Sequence, residues 1–414
     1  MSRDMLKRPT GESVTTAKLA HLSHELQDLR ARGIFHSPRI FDGLQAPRCR
    51  IDGREVINLA SNNYLNLAAD ARLRDAAADA LGRYGVGSGS VRPIAGTMDV
   101  HVELEQRLAA FKHSEAALVF QSGFTANAGT VGAILGPEDT IVSDALNHAS
   151  IIDGCRLSKA KILVYRHRDV DHAREQLRTA RAEKSRRVLL VTDGVFSMDG
   201  DIAPLPELAD LADEYGAIFM VDDAHSSGVL GRNGRGSVDH FDLHGRVDIQ
   251  VGTLSKAFGV VGGYVAGPRD LIDYLTQVGR PYLFSTSHPP AVAAACLAAL
   301  DILESDSNLI ERLWAKTDSF KQALTNLGFD TGNSETPITP ILLGDEAVAV
   351  AFARALFERG VFAPGLVFPT VPRGNARVRT IVTVGHTDAE LAEAVDAFEQ
   401  VRRDVATQPL LAEA

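Results

Sequence analysis

Short runs of apolar residues, separated by stretches whose hydrophobic positions recur every three or four residues, set the texture of the chain from about residue 100 to 270. The runs are Ala117 to Phe120, Thr140 to Ser143, Ile162 to Tyr165, Val188 to Thr192, Ala217 to Val221, Ile249 to Val251 and Tyr264 to Ala266. Runs that are apolar throughout, rather than alternating, read as strands buried on both faces. Strand, helix, strand repeated in this way predicts an α/β fold, with a mostly parallel seven-stranded sheet in a large domain. Ahead of it, leucines at 19, 22, 26 and 29 make a one-sided helical stripe from Ala17 to Arg32 that stops at Gly33, an arm helix. Alternation of Ile51, Val56 and Ile57 around Asp52-Gly53 predicts a hairpin, and a helix follows from about Ala71 to Tyr84.

Beyond the sheet pattern come an alanine-rich helix near Ala291 to Leu303 and a long polar helix through Leu313 and Leu324. At Thr336-Pro337-Ile338-Thr339-Pro340 the texture changes to a smaller α+β C-terminal domain. Its last helix opens on Thr387-x-x-Glu390, a capping box, and carries Leu391, Val395, Phe398 and Val401 on one face. The expected division is 1–60 for the arm helix and hairpin, 61–290 for the large domain and 291–414 for the small one.

Composition narrows the class. A chain of 414 residues, 45% hydrophobic and 23% charged, has room for two domains and is neither fibrous nor disordered. A net charge of −10 with scattered Lys and Arg argues against nucleic acid. With no apolar run of about 18 residues and a charged first segment, no membrane partner is expected and a cytoplasmic location is. Cys49, Cys155 and Cys296 lie far apart without a CxxC spacing, so no disulfide framework and no metal site are expected. The partner is then a small molecule.

Candidate chemistry gathers where the strands end, because ligands of open α/β sheets bind beyond the carboxyl ends. Asp222-Asp223-Ala224-His225 follows one run, and Gly252-Thr253-Leu254-Ser255-Lys256 follows the next. A carboxylate and an amine delivered together suit pyridoxal 5'-phosphate (PLP): Lys256 would form the Schiff base and Asp222 would keep the pyridine nitrogen protonated. Thr253 and Ser255 supply hydroxyls suited to phosphate oxygens, and Gly259, Gly262 and Gly263 would let backbone pass close to a ligand. Gln121-Ser122-Gly123-Phe124-Thr125 sits between a strand and a helix, where free N–H groups of Gly123 and Phe124, with Ser122 or Thr125, fit a phosphate. The glycine-rich Gly85 to Arg92 segment lacks the Lys-Ser/Thr ending of a P-loop. His148 follows another strand and fits a ring that stacks on the pyridine as well as a satisfied loop histidine. Ser197 lies in a Gly/Asp-rich turn that is equally compatible with a structural role. Arg377-Val378-Arg379 places two arginines on one face of a strand, either a clamp for an amino-acid carboxylate or a surface pair.

Taken in order, Ser61-Asn62-Asn63-Tyr64-Leu65, Gln121-Ser122-Gly123-Phe124, Leu146-Asn147-His148-Ala149-Ser150, Thr192 to Asp201, Asp222 to His225, Thr253-Leu254-Ser255-Lys256 and Arg377-Val378-Arg379 resemble the α-oxoamine synthases. The likeness spans about residues 20 to 405 and looks nearest to the glycine C-acetyltransferase (2-amino-3-ketobutyrate CoA ligase) branch and broad-specificity 8-amino-7-oxononanoate synthase-like members. It implies a fold-type I PLP-dependent transferase that condenses an amino acid with an acyl-CoA, usually with loss of carbon dioxide, to give an aminoketone and CoA. Glycine with acetyl-CoA is the expected pair; the alternatives are a larger amino acid (Glu, Ser or Ala) or another PLP enzyme of the fold, an aminotransferase or decarboxylase. The resemblance makes Lys256 the PLP lysine and general base, Asp222 the partner of the ring nitrogen, and His148 the stacking ring. Ser197 and His225 would reach the ring hydroxyl or the new carbonyl. Asn62 and Arg379 would bind the amino-acid carboxylate. It also implies a homodimer in which Ser285 and Thr286 complete the phosphate site across the interface.

The chain departs from the pattern at several positions, among them Val91 and Pro93, where relatives have small or hydroxylated residues. Asn66 and Ser226 stand where relatives have glycine, which suggests Asn66 as a contact for a polar amino-acid side chain. Val367 stands where oxononanoate synthases carry arginine.

Overall fold

The computed structural model describes residues 17–32, 35 and 38–407. Gly33, residues 1–16 and residues 408–414, which fall in the expected arm and C-terminal domain, lie outside the described residues.

All seven apolar runs are strands: β1 (Ala116–Phe120), β2 (Thr140–Asp144), β3 (Lys161–Tyr165), β4 (Val188–Asp193), β5 (Ile218–Asp222), β6 (Ile249–Thr253) and β7 (Gly263–Gly267). They form one sheet in the order β1-β7-β6-β5-β4-β2-β3. Only β7 runs against its neighbours, β1 and β6. Between β6 and β3 all pairs are parallel. Neighbouring residues of one strand feed separate cores: Leu118 and Phe120 pack on one side of β1, Ala117 and Val119 on the other. Burial on both faces is why these strands carry no alternation, and the parallel connections send the ends of β2, β4, β5 and β6 to one edge of the sheet.

In the C-terminal region, Ile338–Gly344, Ala376–Ile381 and Gly365–Leu366 make a three-stranded antiparallel sheet. Helices Leu309–Asn326, Glu346–Glu358 and Asp388–Thr407 cover it, with Phe320, Phe329, Phe352 and Phe398 among its core. The last helix has the expected capping box: Glu390 Oε2 accepts from the Thr387 N–H at 2.8 Å and Thr387 Oγ1 from the Glu390 N–H at 3.2 Å.

The hairpin, Arg48–Ile51 and Arg54–Asn58, is not separate from this region, because Val361–Phe362 adds to it in parallel. The arm helix, Ala20–Ala31, buries none of its residues against its own chain. Among the described residues no helix is long and apolar enough to cross a membrane.

Candidate active site

Asp222 is the last residue of β5 and Asp193, the last of β4, lies beside it in register. Both are buried. Burial pushes both carboxyls above their ordinary range, Asp193 furthest. Asp222 is held by the Asn127 Nδ2 amide at 2.6 Å on Oδ2 and by the Ala224 N–H at 2.8 Å on Oδ1. Asp193 accepts the His148 N–H at 2.7 Å and so ties the β2 loop to the end of β4. The neighbouring Asp223 takes no part in this, since Lys112 neutralises it at 2.7 Å in a fully buried pair. Asp222, unlike Asp223, is therefore without a bonded cation.

Lys256 follows β6 by three residues and is partly buried. Burial lowers its amine to about 8, against the opposing pull of Asp222 and Asp193. An amine so lowered has a far larger neutral fraction near pH 7 than an ordinary lysine, and the neutral form is the one that attacks a carbonyl or takes a proton. The same charges record convergence: Lys256 responds to Asp222, Asp193 and Arg379, and His225 to Lys256, Arg379 and His148.

Burial holds His225 neutral, its pKa well below the ordinary value. Its Nδ1 lies 2.7 Å from the Tyr64 hydroxyl, which burial keeps protonated. With Tyr64 donating to Nδ1, the neutral His225 keeps its N–H on Nε2 for another acceptor. His148 caps the helix Ala149–Ser158 and leaves its ring exposed, as a stacking surface requires.

Both arginines of the Ala376–Ile381 strand reach the turn after β4, as alternation requires. Arg377 is tied there, to the Met198 carbonyl at 3.2 Å and to the Asp199 carboxylate. Arg379 donates once, to the Ser197 carbonyl at 2.8 Å, and its buried Nε has no partner. The buried Oδ1 of Asn62 is likewise unpartnered.

Ser122 caps the helix Gly123–Ile134 by accepting the Thr125 N–H at 3.1 Å, leaving the Gly123 and Phe124 N–H groups free. Thr253 and Ser255 both donate to the Gly262 carbonyl, at 2.9 and 3.2 Å, so their hydroxyls brace the Lys256 loop. The glycines of that loop approach protein, not open space for a ligand: a Cβ at Gly263 would lie 2.4 Å from the Gly123 nitrogen, and one at Gly259 2.5 Å from that of Ala68. Ser285 and Thr286 lie on a segment bridged to Val91, with the Thr286 carbonyl accepting from Gln121 of the same chain at 2.8 Å. Asn66 adopts φ 55°, a left-handed conformation that glycine or asparagine tolerates best, and its amide lies over Gly385. That backbone need is reason enough for asparagine or glycine at this position, without a substrate contact.

Three residues carry functional geometry without having been singled out from sequence: Asn127, Ser150 and Asp193. Asp193 had a signal, since it ends a strand as Asp222 does. Asn127, inside a helix, had none. Among the described residues one trio, His113, Asp239 and His244, brings possible metal ligands within 4.8 Å, but Asp239 is already bonded to the Arg232 N–H at 2.6 Å and faces its guanidinium.

The donor set fits PLP: a lowered lysine amine, a buried carboxylate lacking a cation, an open imidazole face and a capped helix N-terminus. Such a set defines a PLP-dependent enzyme of the α/β type. The sequence model described as Aminotransferase class I and II matches residues 54–398. An 8-amino-7-oxononanoate synthase of Symbiobacterium thermophilum is 60% identical over 93% of this chain and 98% of its own. The 8-amino-7-oxononanoate synthase 1 of Bacillus subtilis is 53% identical over 94% and 99%. Among solved structures, a serine palmitoyltransferase of S. paucimobilis with PLP and myriocin bound matches with a TM-score of 0.88 at 32% identity, over 95% of this chain and 99% of that one. The chain belongs to the aminotransferase class I and II family and, within it, to the α-oxoamine synthases, which are PLP-dependent acyltransferases.

Proposed function

We propose that the chain joins alanine to a pimeloyl thioester, with loss of carbon dioxide and CoA, to give 8-amino-7-oxononanoate. The observation that carries this is the 60% identity to a synthase of that name across nearly its whole length. The product's carbons agree: C8 with its amine and C9 methyl are alanine without its carboxyl, and C1 to C7 are a seven-carbon diacid. Glycine with acetyl-CoA, the pair expected from sequence, finds no support among these relatives. Val367 is buried and apolar, so the far carboxylate of the acyl chain must find its cation at another position.

Bound PLP supplies an electron sink for the α-carbon. Lys256 holds the group and then removes the α-proton as its neutral amine. Arg379 offers its free Nε to the amino-acid carboxylate, and Asn62 would donate to it from Nδ2. Asp222 keeps the proton on the ring nitrogen, and the free N–H of His225 meets oxygen at the acyl carbon. There a carbon–carbon bond forms as the carbon–sulfur bond breaks, CoA leaving as thiol. His148 would stack on the ring and Ser197 would reach its hydroxyl. Ser122, Gly123 and Phe124 would form the phosphate end, with Ser285 and Thr286 contributed across a homodimer interface, while Thr253 and Ser255 brace the Lys256 loop beside it.

The test measures CoA release and product mass with paired substrates. Alanine with pimeloyl-CoA should turn over fastest and yield the mass of 8-amino-7-oxononanoate. Faster turnover of glycine with acetyl-CoA would overturn the pair but leave the reaction class standing.

A further inference from the structure

Two groups of the candidate site, His148 and Asp222, are joined by a chain of hydrogen bonds through Asn127 and Ser150. Asn127 Nδ2 donates to Asp222 Oδ2 at 2.6 Å and to Ser150 Oγ at 2.9 Å. Ser150 Oγ lies 2.8 Å from His148 Nδ1, and the Ser150 backbone N–H donates to the same nitrogen at 3.2 Å. Asn127, Ser150 and Asp222 are 0%, 2% and 3% exposed, so water does not substitute for the links that Asn127 makes to the other two.

The directions of these bonds follow from the carboxylate. An amide oxygen turned toward Asp222 Oδ2 at that distance would face a negative oxygen, so the –NH2 group must point there. Its second hydrogen then goes to Ser150 Oγ, whose own hydrogen is left for His148 Nδ1. With a hydroxyl and a backbone N–H both directed at it, Nδ1 carries its lone pair, and the neutral ring keeps its proton on Nε2.

We propose that Asn127 and Ser150 are positioning residues that fix Asp222 as an acceptor and His148 as the neutral Nε2–H tautomer. One carboxamide thereby sets both the group that holds the ring proton and the ring that lies along the cofactor. Of the contacts opposing the burial of Asp222, the Asn127 bond is the largest. Burial also lowers His148, with Asp222 pulling up and Lys256 down; its backbone N–H is engaged by Asp193. The proposal rests on PLP binding at this site but not on the identity of the amino acid or acyl group, so the substrate assignment can fail while it stands.

The test is the nitrogen spectrum of 15N-histidine-labelled holoenzyme, with the His148 signals assigned by their loss in His148→Gln, alongside equilibrium dialysis for PLP. Wild type should show the neutral Nε2–H pattern near pH 7.5. Ser150→Ala should populate the other tautomer, and Ser150→Thr, which keeps the hydroxyl, should restore the wild-type pattern. Asn127→Ala should raise the PLP dissociation constant by about tenfold or more, the loss expected for a bond to a charged group. An Nδ1–H or doubly protonated His148 in wild type would overturn the proposal, as would a tautomer pattern unchanged in Ser150→Ala.

Discussion

Arg377 and Arg379 differ by two positions and point the same way, yet of the two only Arg379 leaves a buried nitrogen without a partner. Arg377 is anchored through its Nε and Nη1 by Met198, Asp199 and Asn375. Arg379 keeps an unpartnered buried Nε. Arg379→Ala should therefore reduce kcat/KM for the amino acid by about 30-fold or more, the loss of a desolvated charge contact. PLP occupancy, read by absorbance, should persist. Arg377→Leu should instead lower the melting temperature, and a large rise in amino-acid KM with unchanged melting would contradict this division. Sequence placed both arginines on one face but not which was free, because that depends on the Ser197-to-Asp199 turn, about 180 positions earlier. Asp222 and Lys256 were legible because a strand end marks them. Asn127 was not, because its partner Asp222 is 95 residues away.

Elements carry these residues to one place. The helices Gly123–Ile134 and Ala149–Ser158 cross where Gly154 has no side chain; a Cβ there would lie 3.1 Å from the Asn127 carbonyl oxygen and 3.2 Å from the Ala128 Cα. Ser150 is one turn before Gly154, on the face turned to Asn127. Gly154→Ala must push the two helix backbones apart, so it should cost about 1–3 kcal/mol of stability and weaken PLP binding together. Unchanged stability would show that the helices have room to separate.

A second clamp joins the loops bearing His148 and Ser197. His167 lies 3.0 Å from Asp144 and 2.8 Å from Asp201. Arg168 also reaches Asp201, and Phe196 meets the His167 ring edge-on. Burial alone would lower His167, but the two carboxylates outweigh it and raise its pKa to about 9. The folded value thus exceeds the ordinary one. The resulting stabilisation, at most about 3 kcal/mol, is fully present below about pH 6.5 and lost as pH rises through about 9. Urea melts should show wild type losing stability between those values while His167→Gln stays flat there; parallel curves would contradict the clamp. The seven strands were legible as apolar runs because both faces are buried. The pair Val361–Phe362 was not, because two residues show no period.

For the whole molecule, apolar side chains left uncovered point to a second copy. Leu19, Leu22 and Leu26 on the arm are 40–50% exposed, and Val86 and Ile94 each 82%. Phe284, just before Ser285 and Thr286, is 69% exposed. Light scattering should give twice the chain mass, and Ile94→Asp with Phe284→Asp should lower both dimer fraction and PLP affinity; a wild-type monomer with full PLP occupancy would contradict a shared site. The hairpin read from Ile51, Val56 and Ile57 was correct locally, but its pairing with a strand about 300 residues later could not be read from local alternation.

Everything proposed for the site depends on one lysine, Lys256, carrying the cofactor among strand-end groups drawn from four strands. Borohydride reduction of the purified holoenzyme, followed by peptide mass mapping, probes that dependence without intermediate assumptions. A single pyridoxyl-phosphate adduct is expected, on the peptide containing Lys256, and none in Lys256→Ala; an adduct on a different lysine in the wild-type protein would contradict it.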